Sequence, residues 1–184
     1  GGSVEAISET MTVKAKLRPN IAQARRHADK ARIYFARAEA ALAIDEFEQA
    51  LVHWPEFPEA LNDLGTVYAR EKQYAKALGY YGRARQSSPS SPTPYVNGAS
   101  MEYHLGLYQD ALSDLSDAVE LGVNHDARLA LQTAEQLGKL VDYFLESKEV
   151  AQAEEASRYL LRIQTAKKET RARAQEVLDR SHTP

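Results

Sequence analysis

Apolar residues recur at helical spacing along the chain, in short stripes separated by proline. Leu61, Leu64, Gly65 and Tyr68 share one face of a helix, and Ala77, Tyr81 and Ala84 share one face of the next. The internal prolines fall in three places: Pro19, then Pro55 and Pro58, then Pro89, Pro92 and Pro94. Proline ends a helix or opens one, so the long proline-free stretches between these points predict helices. Alanine, leucine, glutamate and arginine are abundant and β-branched residues sparse, which favours the same reading.

The stripes also repeat at longer range. The step from Pro55 to Pro89 equals the step from Pro58 to Pro92. The same shift carries Tyr74 onto Tyr108, Ala77 onto Ala111 and Ala84 onto Ala118; backwards, it carries Tyr81 onto Phe47 and Tyr68 onto Tyr34. A period of this length marks a stacked array of supersecondary units, each unable to bury its apolar face alone.

The stretch Pro58–Ser91 resembles a complete tetratricopeptide repeat: Leu61, Leu64-Gly65 and Tyr68 on the first helix, Ala77, Tyr81 and Ala84 on the second, and Pro89 at the close. Only the family's opening Trp is replaced, by Leu61. The resemblance implies an all-α fold, an α-α superhelix in which helical hairpins form a right-handed solenoid. A first unit spans 20–57 and keeps Ala31, Tyr34, Ala43, Phe47, Ala50 and Pro55, without Gly or Asn at its turn near Arg37–Ala40. A third spans 92–125 and departs from the pattern with Gly98 for the leucine and Glu102 for the tyrosine.

A degenerate fourth hairpin is expected over 126–165. Leu137, Leu140, Val141 and Phe144 form its stripe, offset by about eight residues, so one long helix runs from Asp126 to about Ser147 and gains about 12 Å. Val4, Ile7 and Met11 suggest a leading helix within 1–19, where Gly1-Gly2-Ser3 reads as an expression scar. Residues 166–184 read as a C-terminal capping helix with one apolar stripe of Ala174, Val177 and Leu178.

Charge changes this picture only in its distribution. The net charge is −3, but eight Lys/Arg lie between Lys14 and Arg37 against Asp29, and twelve acidic residues between Glu102 and Glu155 against Arg128, Lys139 and Lys148. The total argues against a nucleic-acid partner. No apolar run is long enough for membrane insertion. The absence of cysteine excludes disulfides and thiolate-bound zinc but fixes no compartment. The cytoplasm is slightly favoured, and the chain reads as a piece of a longer protein.

No catalytic chemistry is read from the sequence, and no cofactor or metal is expected. The five histidines, 27, 53, 104, 125 and 182, lie on different elements without a second ligand at metal spacing. There is no HExxH, glycine-rich phosphate loop or nucleophile elbow. The expected function is therefore a non-enzymatic scaffold that binds a protein or peptide partner.

In the family, the first helices of successive hairpins line a concave groove. The resemblance places Arg25, Ala28, Arg32 and Phe35 there from the first unit. Asn62, Thr66 and Arg70 come from the second, and Val96, Ser100, Tyr103 and His104 from the third. Asn suits backbone amides, Arg a carboxylate, and an aromatic ring an apolar side chain. The family's chaperone-tail clamp falls on Ala28, Arg32, Asp63, Thr93 and Asn97. Four of these five do not match, so a chaperone C-terminal tail is not expected. The alternative is structural assembly, including a homo-oligomer in which the basic start meets the acidic middle of a second copy.

Overall fold

A computed structural model describes residues 19–181. The expected leading helix at Val4, Ile7 and Met11 lies outside these residues. Among the described residues there are nine α-helices and no strand. They are α1 (Ile21–Ala36), α2 (Ala40–His53), α3 (Pro58–Arg70), α4 (Tyr74–Ser87), α5 (Thr93–His104), α6 (Tyr108–Glu120), α7 (Ala127–Glu146), α8 (Val150–Leu161) and α9 (Lys168–Ser181). Each odd-numbered helix up to α7 pairs with the helix that follows it, and neighbouring hairpins stack into a superhelix.

The four hairpin turns share one geometry. Ala38, Lys72 and Gly106, each one repeat beyond the last, have φ of 61°, 58° and 76°. Lys148, which follows Gly106 after a longer step, has φ of 61°. The backbone N–H that follows each of these residues donates back across the turn, to Tyr34, Tyr68, Glu102 or Phe144, at 2.8–3.0 Å. This bond is the Schellman closure of a helix C-terminus, and it requires one left-handed residue. The first turn lacks glycine and is formed by Ala38 in that conformation. Lys148 locates the extra residues of the fourth unit before its turn.

Those residues form a 3₁₀ turn (Val123–His125) and the lengthened α7, whose N-terminus is capped by Asp126 accepting from the Leu129 N–H at 2.9 Å. Asn124 fastens this turn to the end of the fourth hairpin, donating to the Arg162 carbonyl at 3.1 Å and accepting from the Gln164 N–H at 3.3 Å. Helix α9 packs on both α7 and α8, the relation that α3, α5 and α7 have to the hairpin before them. Gly138 admits it closely: a Cβ there would stand 3.0 Å from Thr170 Cγ2.

Small residues let the helices of a hairpin approach. Ala31, Gly65 and Ala99 are buried, and a Cβ on Gly65 would lie 2.8 Å from Tyr81 Cε1. The apolar core falls into two clusters. One is built on α1–α4 with Met101 from α5, the other on α5–α9. The break lies where the second hairpin meets the third.

Candidate protein-binding groove

Helices α1, α3, α5 and α7 lie side by side, and polar side chains tie each to the next. From α1, Arg32 Nε donates to Asp63 of α3 at 2.7 Å, while its Nη1 reaches Asp29 at 3.0 Å. Asn97 of α5 donates its amide to Asn62 Oδ1 at 3.0 Å. Gln136 of α7 donates to the Val96 carbonyl of α5 at 3.2 Å. These bonds cross from hairpin to hairpin and fix the spacing of the row.

The other expected groove residues divide into two groups. Arg70 places its guanidinium 3.9 Å from the centre of the Phe35 ring and donates to the Phe35 carbonyl at 3.3 Å. Thr66 lies between the Asn62 carbonyl and the Tyr81 hydroxyl, 3.1 Å from each. With Arg32 paired to Asp63 and Asn62 to Asn97, these contacts run along the first three hairpins. Next to them is an open depression of about 390 Å³, lined by Arg32, Glu59, Asn62, Asp63, Ser88 and Thr93 among others.

Ser100, Tyr103 and His104 form the second group, around a smaller depression of about 50 Å³ between α5 and α7. His104 stacks on Tyr74 at 4.6 Å, and Tyr103 meets Tyr108 edge-on at 5.2 Å. Arg25 is exposed on α1 and lines neither depression. Two expected groove residues are corrected: Ala28 and Val96 are fully buried, because α1 and α5 turn these positions into the core. Sequence reasoning missed Gln136, whose only signal is a polar residue beside the α7 stripe.

Behind this face, the junction of the second and third hairpins holds a buried charge cluster. Arg85 of α4 lies 2.6 Å from the Asp114 carboxylate of α6 and 3.7 Å from Glu102 of α5. Burial, reinforced by the neighbouring Asp114 charge, pushes the Glu102 carboxyl up to about 8. Burial raises Asp114 too, against the pull of Arg85. One cation thus faces two buried carboxyls, and burial keeps the Glu102 carboxyl protonated at neutral pH. At the far end of the stack, Glu46 is held below the usual carboxylate range by hydrogen bonds from Lys30 and His27, the latter at 2.6 Å. His27 also stacks on His53 at 5.5 Å. No cluster able to hold a metal ion occurs among the described residues, and no helix there is long and apolar enough to cross a membrane.

No curated protein matches the chain significantly. Solved structures do. The first TPR of Spaghetti (RPAP3), bound to the HSP90 peptide SRMEEVD, aligns at TM-score 0.64 and 19% identity, covering 70% of this chain and 98% of its own. MamA aligns at TM-score 0.64 and 17% identity, covering 86% and 90%. The Sgt2 TPR domain from Aspergillus fumigatus aligns at 0.62 and 20%, covering 68% and 82%. At these identities the likeness is one of fold. The family model for the tetratricopeptide repeat matches residues 28–92, and with the turn geometry that recurs beyond that segment, the chain has the tetratricopeptide repeat fold.

Proposed function

We propose that this chain is a non-catalytic interaction scaffold that holds an extended segment of a partner protein along the face made by α1, α3, α5 and α7. The observation that carries the reading is the cross-hairpin polar row, Arg32 to Asp63 and Asn62 to Asn97, beside an open depression of about 390 Å³. Side chains already ordered by their neighbours lose little entropy when a ligand arrives, so they suit recognition. The peptide-bound relative of the same fold supports the reading. A chaperone tail is not the proposed ligand: at the family's clamp positions Ala28 is buried, Arg32 is paired with Asp63 and Asn97 is bonded to Asn62.

The test is affinity capture of partners by the full chain and by Arg32→Glu/Arg70→Glu, with Gln49→Glu/Gln86→Glu on the outer sides of α2 and α4 as the control. The groove pair is expected to lose the partner with helicity intact, while the control keeps it. Equal capture by all three forms overturns the groove.

A second reading, self-association, is favoured by one observation. The first hairpin carries Ile21, Ile33, Leu42 and Val52, four of the seven exposed large apolar residues among those described. Light scattering that finds only monomer at low and high salt overturns it.

A further inference from the structure

The second and third hairpins differ at one register position, with a consequence for the groove. In the second, the Tyr81 ring is buried against Gly65 and its hydroxyl lies 3.1 Å from Thr66 Oγ1. A shift of one repeat turns Gly65 into Ala99, Thr66 into Ser100, Ala77 into Ala111 and Tyr81 into Leu115. Leucine has neither the ring nor the hydroxyl, and cannot reach Ser100 as Tyr81 reaches Thr66. The space stays open as the depression of about 50 Å³ between α5 and α7, walled by Ala99, Ala111, Leu115 and Leu140.

Its rim is polar. Gln136 donates its amide nitrogen to the Val96 carbonyl at 3.2 Å, but its Oε1 is buried and accepts no hydrogen bond. A buried acceptor without a donor is an unmet demand. Lys139 stands on the same rim. A closed cavity of about 150 Å³ accepts benzene, so this open depression, a third of that size, seats the methyl end of a branched aliphatic group and not a whole aromatic ring.

We propose that this depression receives the methyl end of one branched aliphatic side chain, valine, leucine or isoleucine, from the extended partner segment, whose backbone N–H donates to Gln136 Oε1 and whose carbonyl faces Lys139. The proposal rests on the groove reading above. Truncating that ligand side chain to alanine is expected to weaken binding about tenfold.

The test needs no partner. Isobutanol, with a branched aliphatic end and a hydroxyl donor, is titrated into the isotope-labelled full chain and followed by NMR. Saturable shifts are expected at the Leu115 and Leu140 methyls and the Gln136 side-chain amide. Leu115→Tyr, combined with Ala99→Gly so that the ring has the room that Gly65 gives Tyr81, should abolish them. Ser100→Leu, half-exposed on the rim, closes the same space without altering the core, so the test survives if the double variant fails to fold. Shifts that never saturate, or that persist in whichever of these variants folds, overturn the subsite whatever partner capture gives. Capture that ignores the groove substitutions overturns the groove reading without altering the isobutanol result.

Discussion

A Cβ on Gly98 would stand 2.5 Å from Nη2 of Arg85 and 3.4 Å from Asp114 Oδ2, so the bare α-carbon of one repeat makes room for the guanidinium of the previous one. One repeat earlier these register positions are apolar or aromatic. A shift of one repeat places Leu64 at Gly98, Tyr68 at Glu102 and Leu51 at Arg85. Both departures of the third repeat therefore have one cause. They accommodate an arginine and its carboxyls at the junction where the apolar core divides.

Gly98→Ala should accordingly change sign with its surroundings. In a helix interior alanine is better than glycine by about 1 kcal/mol. Here the methyl group displaces a guanidinium held by Asp114, and overpacking of that kind costs about 1–3 kcal/mol. Urea denaturation is expected to show Gly98→Ala destabilising in the native sequence. With Arg85→Ala already in place, it should stabilise. Additivity of the two changes would show that they do not touch.

Glu102 makes stability depend on pH. Its folded carboxyl titrates near about 8, above an ordinary value of 4.5, so between those limits the folded state holds a proton that the unfolded chain has released. Stability therefore falls as pH rises through this window and levels off above it. Glu102→Gln keeps the shape of the neutral carboxyl and removes the titration. Denaturation midpoints at pH 6 and pH 9 are expected to differ in the native protein and to converge in the variant.

The period, the helices and the long α7 are legible in the sequence because apolar spacing and proline placement are local properties of the chain. Gly98 and Glu102 are visible as departures, but their reason is not. Arg85 and Asp114 lie on other helices and look like ordinary surface charge in a linear reading. The same limit applies to the candidate groove. The resemblance offers Arg32, Asn62 and Arg70 as free ligands for a peptide, whereas each is partly engaged, by Asp63, Asn97 and Phe35. Helical spacing locates a face, not the partner that each side chain meets across it. Ala28 and Val96 go astray for a related reason: at the seam between two packed helices, one step of register separates groove from core.

The turn geometry carries its own prediction. Ala38, Lys72 and Lys148 hold left-handed φ near 60° with a Cβ present, a conformation that costs a non-glycine residue about 1 kcal/mol. Ala38→Gly and Lys72→Gly should each raise the melting temperature, while Gly106→Ala should lower it. A lower melting temperature in both glycine variants would mean that these turns do not close through the backbone bond described.

Arg32 raises the question of whether a groove substitution acts on the ligand or on the fold. Its side chain is 43% exposed and its partner Asp63 32%, so reversing either charge alone is expected to cost only about 1 kcal/mol. Arg32→Asp combined with Asp63→Arg restores an opposite-charge pair across α1 and α3, and about half of that loss should return. Partner capture should behave differently. If the guanidinium meets a carboxylate of the bound segment from α1, moving the positive charge to α3 displaces it by roughly the 8–10 Å between packed helices, and capture stays lost while stability recovers. Recovery of both together would mean that Arg32 serves only to hold the first hairpin to the second, leaving recognition to the Asn62, Ser100 and Tyr103 part of the face.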